Sequence, residues 1–248
     1  MEPETSVVVV VPTYNEAQNL PSLTARLMAL PIPSLHLLVV DDNSPDGTGE
    51  LAQGMARQYP GRVSVLHRSG RLGLGSSYTA GFRQALSLGA DVVVQMDADL
   101  SHAPEDAVPM IQALENADIV VGSRYTRGGG VDASWGLRRR LLSRFGNLYA
   151  RRIGGLKARD VTSGFKAYRR EVLETLDLDR TRCRGFAFQA EVAYLCQRSR
   201  FRVVEHPILF LDRVRGESKM SLGIVFEALW RLALLRFRRL PASRSSLS

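Results

Sequence analysis

The stretch QMDADLSHAP, residues 95–104, places two carboxylates, Asp97 and Asp99, directly after a short run of β-branched residues. That run, residues 90–94, predicts a buried strand, and residues 104–106 predict the first turn of a helix. Side chains two residues apart in an extended segment point the same way, and α/β sheets bind ligands beyond the carboxyl ends of their strands. The stretch therefore predicts a site for Mg²⁺ or Mn²⁺ carried by a phosphate ligand, although two acids in a loop are also common as plain turn residues.

Further apolar runs surround this strand, and helical patterns separate them. The predicted strands are residues 6–11, 35–40, 63–67, 90–94 and 118–124. The predicted helices between them begin near Leu20, cover residues 48–59 and run from Gly75 to Leu88. Because strands that alternate with helices form parallel crossover units, the sequence predicts an α/β protein with a doubly wound, mostly parallel sheet.

The second half of the chain has a different pattern, with basic amphipathic helices predicted at residues 135–153 and 221–239. In the first of these helices the apolar positions are Leu137, Leu141, Phe145, Leu148 and Tyr149, and the arginines are Arg138, Arg139, Arg140, Arg144, Arg151 and Arg152. A helix at 186–198 and strands at 201–205 and 208–211 are also predicted. Two placements of the apolar helix faces are open, namely packing on the sheet as core or lying on a membrane surface.

Charge and composition narrow the class of partner. The 248 residues carry a net charge of +8, which suits nucleic acid, a nucleotide or an acidic membrane. Aromatic residues make up 7% and do not cluster in basic stretches, which disfavours nucleic-acid binding. No Gly-x-Gly-x-x-Gly follows the first predicted strand, which disfavours a dinucleotide-dependent dehydrogenase. Two cysteines without metal spacing indicate a reducing compartment, and neither a signal peptide nor a transmembrane helix is predicted.

Seven motifs occur in an order that resembles one enzyme family. VPTYNE at 11–16, VDDNSPDGT at 40–48, LGLG at 72–75 and DAD at 97–99 resemble the family 2 glycosyltransferases of the GT-A type. GSRY at 122–125, DVTSGF at 160–165 and DRVRGESKM at 212–220 resemble the dolichyl- or polyprenyl-phosphate mannose synthases within that family. Several ordered motifs over about residues 6–235 are far more specific than any single one.

The resemblance implies a set of site residues. The implied substrate contacts are Pro12, Tyr14, Glu16, Val40, Asp42, Asp97, Ala98, Asp99, Arg124, Arg213 and Lys219, the first five at the guanosine end and the last three at phosphate. The implied catalytic residues are Asp97, Asp99 and Arg124, and the implied metal ligands are Asp97, Asp99 and Ser101, where some members of the family have glutamine. By contrast, Asp46 is predicted to cap a helix and His102 to be structural.

The resemblance also implies the reaction, which is transfer of mannose from GDP-mannose to a polyisoprenyl phosphate with inversion at the anomeric carbon. A phosphate monoester with a second pKa of about 6 is already ionised at neutral pH, so no general base is expected. One alternative is the same chemistry with UDP-glucose, and a remote one is a non-catalytic nucleic-acid-binding protein. We expect a nucleotide-sugar half at 6–125 and an acceptor and membrane-interface half at 126–240 of a single domain, 1–240, followed by a disordered tail at 241–248.

Many related enzymes carry C-terminal transmembrane helices, and none is predicted in this chain. The expected location is therefore the cytoplasmic face of a membrane, bound peripherally or through a small membrane-anchoring partner. The basic amphipathic helices would meet anionic head groups there.

Overall fold

The computed structural model describes residues 5–176, 178 and 187–212, in which strands and helices alternate as the apolar runs predict. The strands are β1 (Val7–Thr13), β2 (Leu35–Asp41), β3 (Val63–His67), β4 (Val92–Gln95), β5 (Ile119–Ser123), β6 (Gly130–Val131), β7 (Lys166–Arg169), β8 (Val203–Pro207) and β9 (Leu209–Phe210). The helices are α1 (Leu20–Met28), α2 (Thr48–Gln58), α3 (Leu74–Ser87), α4 (Ala107–Ala113), α5 (Leu137–Gly154), α6 (Arg170–Thr175) and α7 (Ala187–Arg198). A 3₁₀ turn at Pro104–Asp106 leads into α4, as the proline and the two acids predict.

Seven of these strands form one sheet in the order β3-β2-β1-β4-β7-β5-β8. Every pairing is parallel except those of β7, which runs antiparallel to both β4 and β5. The short strands β6 and β9 form a separate parallel pair. The predicted doubly wound, mostly parallel sheet is therefore confirmed.

Alternation along β1 divides the core into two layers. Val7, Val9 and Val11 face one side of the sheet with α1, α2 and α4, whereas Val8 and Val10 face the other with α3, α6 and α7. Helices on both faces explain why the central strands are continuous apolar runs rather than alternating ones.

Close packing of α3 on the sheet depends on one glycine. A Cβ on Gly81 would lie 2.4 Å from Val10 Cγ1 and 3.0 Å from Val40 Cγ2. Only glycine lets the helix approach the strands this closely, and this approach brings the start of α3 towards the carboxyl ends of β1 and β2.

The strand β7 is absent from the prediction, which assigned no secondary structure to residues 166–169. This segment is KAYR, and its charged ends do not have the composition of a central strand. In the structure Lys166 is only 2% exposed, and its Nζ donates to Gln189 Oε1 at 2.9 Å. A buried lysine that bonds Gln189 on α7 thus occupies a central strand that composition alone does not reveal.

The helix α5 confirms the prediction for 135–153 to within two residues, but its apolar side does not pack on the sheet. Leu137 is 72% exposed and Phe145 62%, whereas the residues of α5 that are buried are Asn147 and Ala150. Within the described part of the chain, this face therefore does not form ordinary core. No helix within the described ranges is long and apolar enough to cross a membrane. The predicted helix at 221–239, the tail at 241–248, Arg213 and Lys219 lie outside the described residues.

Candidate active site

Polar loops meet at one edge of the sheet because β1 lies between β2 and β4 and all three are parallel. Each loop contains a non-glycine residue in the left-handed region, namely Asn15 (φ 60°), Asn43 (φ 57°) and Leu100 (φ 60°). Asparagine adopts this conformation readily, but leucine seldom does. The strained backbone at Leu100 therefore marks a turn that its surroundings hold in place.

That turn folds Ser101 back onto Asp99. The amide of Ser101 donates to Asp99 Oδ1 at 3.1 Å, and its hydroxyl donates to the same oxygen at 2.6 Å. Asp99 is 7% exposed and Ser101 is fully buried. The sequence places the two residues together, as predicted, and the structure adds that the serine hydroxyl already bonds one acid.

The Asp97 carboxylate is half-buried and is held from α3. The hydroxyl of Tyr78 donates to Asp97 Oδ1 at 2.7 Å. Tyr78 is 0% exposed and stacks on Phe82 and Phe188 with ring centroids 5.8 and 6.2 Å apart. Burial raises the pKa of this phenol well above its ordinary value of 10.0, and the nearby Asp97 charge raises it further, so Tyr78 stays a hydrogen-bond donor.

The donor atoms at this corner fit a divalent cation. Asp97, Asp99 and Ser101 offer carboxylate and hydroxyl oxygens, which are the ligands that Mg²⁺ and Mn²⁺ prefer. Within the described residues, no three His, Cys, Asp or Glu side chains are grouped so as to hold a metal by themselves. Two carboxylates instead suit a cation that arrives with a ligand phosphate, because Mg²⁺ commonly binds through one or two carboxylates and substrate phosphates.

The predicted nucleotide end is built around Asp42, which has internal partners. Arg68 Nη1 donates to Asp42 Oδ1 at 2.7 Å, and Ser77 donates to the same carboxylate at 2.9 Å. Burial raises the pKa of Asp42, while Ser77 and Arg68 lower it in part. Nearby, the Arg71 guanidinium lies 4.7 Å above the ring centre of Tyr14. Two arginines that the sequence motifs did not single out therefore lie beside Tyr14 and Asp42.

Other predicted contacts at this edge differ in which atoms can reach a ligand. Val40 is 0% exposed and Ala98 is 4% exposed, and both side chains lie in the core layers. These two residues therefore offer almost no surface to a ligand at this edge. Asp46 accepts from the Thr48 amide at the start of α2 and from the Ala17 amide, which agrees with a structural role at the beginning of that helix.

Arg124, predicted to contact phosphate, is paired with Asp160, which enters the sequence analysis only as the first residue of the DVTSGF motif. Its Nε donates to Asp160 Oδ2 at 2.7 Å and its Nη2 donates to Asp160 Oδ1 at 2.8 Å. The side chain of Arg124 is 9% exposed and that of Asp160 is 0% exposed. Burial opposes both charges, but the pairing outweighs it, so the pKa of Arg124 is raised and that of Asp160 is lowered.

His102 follows the candidate metal ligand Ser101 in the sequence, and its ring packs among aromatic side chains instead of forming hydrogen bonds. Its ring centre lies 5.1 Å from that of Phe165 and 5.2 Å from that of Phe210, and Phe210 lies 5.5 Å from Trp135. No described residue bonds either ring nitrogen of His102. Burial lowers the pKa of His102, although Asp97 and Asp99 raise it. This geometry supports the structural role predicted for His102.

A sequence profile described as "Glycosyl transferase family 2" matches residues 8–177. The chain belongs to this glycosyltransferase family. The match contains Asp97, Asp99, Arg124 and Asp160. The predicted membership of the family is therefore confirmed.

Curated relatives cover most of this glycosyltransferase. A polyprenol monophosphomannose synthase from Mycolicibacterium smegmatis is 44% identical over 94% of this chain and 88% of its own length. An undecaprenyl-phosphate mannosyltransferase from Micrococcus luteus is 46% identical over 90% of each chain. A dolichol-phosphate mannosyltransferase from Pyrococcus furiosus is 42% identical over 90% of this chain, which spans 61% of that relative.

Solved structures agree on the fold of the glycosyltransferase. A glucosyl-3-phosphoglycerate synthase from Mycobacterium tuberculosis has a TM-score of 0.67 at 19% identity, covering 94% of this chain and 80% of that one. A mannosyltransferase from Pyrobaculum calidifontis has a TM-score of 0.62 at 20% identity, covering 88% and 59% respectively. The predicted GT-A type of fold is confirmed by these neighbours.

Proposed function

We propose that this glycosyltransferase moves mannose from GDP-mannose to a polyisoprenyl phosphate, giving a polyprenyl-phosphate β-mannose. The observation that carries the proposal is that Asp97 and Asp99 follow β4 at the carboxyl edge of the parallel strands, in a chain whose relatives are named polyprenol monophosphomannose synthase and undecaprenyl-phosphate mannosyltransferase. Ligands of α/β sheets bind beyond the carboxyl ends of the strands, which supports a nucleotide diphosphate next to these carboxylates.

The donor assignment rests on the edge formed by β1 and β2. Pro12 lies near the end of β1, Tyr14 and Glu16 follow that strand, and Val40 and Asp42 lie at the end of β2. We assign these five residues to the nucleoside. A carboxylate such as Asp42 can accept paired N–H bonds from guanine or hydroxyl bonds from ribose. The names of the curated relatives give mannose as the transferred sugar, which supports a mannose donor over UDP-glucose here. Neighbours of the same fold are described both with GDP-Man and Mn²⁺ and with UDP-glucose and Mn²⁺, so the choice rests on the relatives.

We assign Asp97, Asp99 and Ser101 to a divalent cation, Mg²⁺ or Mn²⁺. When bound, such a cation stabilises negative charge on the departing diphosphate. The protein's own part is to hold the two carboxylates at fixed positions before the donor arrives, which avoids a reorganisation cost during the reaction. The hydrogen bond from Ser101 to Asp99 serves that purpose.

The acceptor phosphate is ionised at neutral pH, so the chain needs to bind an anion rather than to remove a proton. We assign Arg124, Arg213 and Lys219 to this phosphate. Because Asp160 offsets the charge of Arg124 through two hydrogen bonds, Arg213 and Lys219 would supply most of the positive charge. The pair of Arg124 and Asp160 would mainly hold the phosphate side of the site in shape.

The lipid acceptor also accounts for α5. Its apolar residues are exposed beside exposed Arg138, Arg144 and Arg152, as in helices that lie in a membrane interface. We propose that the protein binds the cytoplasmic face of a membrane through this helix, either directly or together with a small membrane-anchoring partner.

One assay tests the proposed reaction. Purified protein, Mn²⁺ and a polyisoprenyl phosphate in detergent are incubated with radiolabelled GDP-mannose, and the lipid product is extracted into butanol. We expect label in a butanol-soluble lipid that mild acid releases as mannose. A parallel reaction with labelled UDP-glucose tests the alternative donor. Transfer from UDP-glucose alone would overturn the donor assignment, and transfer from neither would overturn the proposed function.

A further inference from the structure

The carboxylate of Asp97 is approached by two residues outside the motifs' acidic positions. The Tyr78 hydroxyl reaches it from the first half of α3 and donates to Oδ1 at 2.7 Å. Gly164 also lies close, since a Cβ there would come within 2.7 Å of Oδ2 and 3.2 Å of both Cγ and Oδ1. The carboxylate in its present orientation therefore needs a residue without a side chain at position 164.

The tyrosine itself has little freedom. Tyr78 is 0% exposed, its ring is nearly parallel to that of Phe188 at an angle of 5°, and Phe82 stacks on it at 5.8 Å. The aromatic contacts of this ring come from the core layer, so the ring position is set by packing and not by the ligand. A rigid donor of this kind fixes the orientation of the group that it bonds.

We propose that Tyr78 is a positioning residue, and that its hydroxyl, together with the close approach of Gly164, sets the orientation in which Asp97 binds a divalent cation. The inference deepens the proposed function and rests on it. Residues that bond a metal ligand orient it, and their loss commonly weakens metal binding about 10–100-fold. With its ring packed in the core, Tyr78 donates to the carboxylate without competing for the cation.

A second buried tyrosine provides a matched control. Tyr168 is also 0% exposed and packs in the same core layer, but its hydroxyl donates to the neutral side chain of Gln95 at 3.0 Å. A purely structural role of a buried phenol would be lost equally in Tyr78→Phe and Tyr168→Phe. Only Tyr78→Phe releases a candidate metal ligand.

The test measures Mn²⁺ binding directly, from the electron paramagnetic resonance signal of free Mn²⁺ in the presence of GDP. We expect about 10–100-fold weaker Mn²⁺ binding for Tyr78→Phe, and a change of less than about twofold for Tyr168→Phe. In the transfer assay, Tyr78→Phe should raise the Mn²⁺ concentration needed for half-maximal rate, and excess Mn²⁺ should restore most of the rate. In an Asp97→Asn background, Tyr78→Phe should have no further effect on binding.

Gly164→Ala tests the second close contact of this carboxylate, because its new methyl group would push the Asp97 carboxylate away. Its control is Gly146→Ala in α5, where a Cβ would meet nothing within 4 Å. We expect weaker Mn²⁺ binding for Gly164→Ala only.

The possible failures are distinct. Unchanged Mn²⁺ binding in folded Tyr78→Phe, or in Gly164→Ala should the first variant not fold, would overturn this inference alone. A wild-type protein that binds no Mn²⁺ with GDP would overturn the metal site of the proposed function as well.

Discussion

The carboxyl edge of the sheet and the helix α5 are built on opposite principles. At the edge, the charged groups are buried and bonded inside the protein, as in the pairs of Asp42 with Arg68 and Arg124 with Asp160. Along α5, apolar side chains are exposed, with Leu137 at 72% and Phe145 at 62%. Among the described residues, the edge pairs most of its charged groups internally, whereas α5 exposes apolar surface that water solvates poorly.

The difference indicates how the two regions act. A site that stabilises charge works best when its groups are oriented before the substrate arrives, because no reorganisation is then needed. A surface that meets a lipid bilayer does not need fixed partners, since burial of apolar area and attraction to head groups are non-directional. Preorganisation at the edge and exposure on α5 are therefore both expected of an enzyme that joins a water-soluble donor to a membrane lipid.

The largest effect expected is on stability, from Asp160→Ala. This change leaves the buried guanidinium of Arg124 without its counter-charge, and such a loss typically costs about 3–5 kcal/mol. Urea denaturation measures it, with Glu174→Ala as the control, because the Arg170–Glu174 pair is exposed and such pairs are worth about 0–1 kcal/mol. Equal costs for the two variants would show that the edge is no more dependent on internal pairing than the surface.

A second variant, Asp99→Ala, tests the same edge by its effect on the reaction rate. Removing one preorganised charge contact commonly lowers the rate about a hundredfold to a thousandfold, or roughly 3–4 kcal/mol. We expect at least this loss of mannosyl transfer with a small change in the free energy of unfolding. Asp106→Ala, an acid nearby at the start of α4 with no capping hydrogen bond from its side chain, is the control and should retain its rate. Near-normal turnover by folded Asp99→Ala would contradict the role of this edge.

Much of this edge could be predicted from sequence, because the signals for it are local. Apolar β-branched runs mark β1, β2 and β4, and the acids follow the strands directly, so Asp42, Asp97 and Asp99 were placed on one side of a parallel sheet. The partners of these acids could not be predicted. Tyr78 lies 19 positions from Asp97, and Asp160 lies 36 positions from Arg124. No local pattern specifies contacts that only the folded sheet creates.

The helix α5 shows a different limit of sequence reasoning. Its 3.6-residue periodicity predicted an amphipathic helix at nearly the observed bounds. Periodicity does not say what covers the apolar face, because core and membrane both accept leucine and phenylalanine. The face that packs on the protein uses Asn147, whose side chain bonds the main chain of Arg159 and Val161, and a hydrophobic pattern does not reveal it.

A buried lysine next to the edge gives a prediction with a pH dependence. Burial lowers the pKa of Lys166 from 10.5 to about 8, so the unfolded chain binds more protons than the folded one between these values. The free energy of unfolding should therefore rise with pH over this interval, relative to Lys166→Met, by on the order of 2 kcal/mol between pH 7.5 and 10. Chemical denaturation of both proteins at a series of pH values measures this difference. A constant difference across the series would mean that Lys166 stays charged in the folded protein.

The smallest effect expected is on membrane binding by α5. Phe145→Ser removes one apolar side chain from the exposed face, which should weaken binding to vesicles containing anionic lipid by about 1.5 kcal/mol, or roughly tenfold. Because Phe145 is already exposed, the free energy of unfolding should change by less than about 0.5 kcal/mol. The control is Leu88→Ser, at the end of α3, where an exposed leucine lies outside α5 and vesicle binding should be unchanged.

Flotation at low and high salt separates the contribution of the arginines, which salt screens, from that of the apolar face, which it does not. If wild-type protein fails to float at either salt concentration, direct membrane binding by α5 is contradicted. Attachment through a membrane partner would then be the alternative that stands.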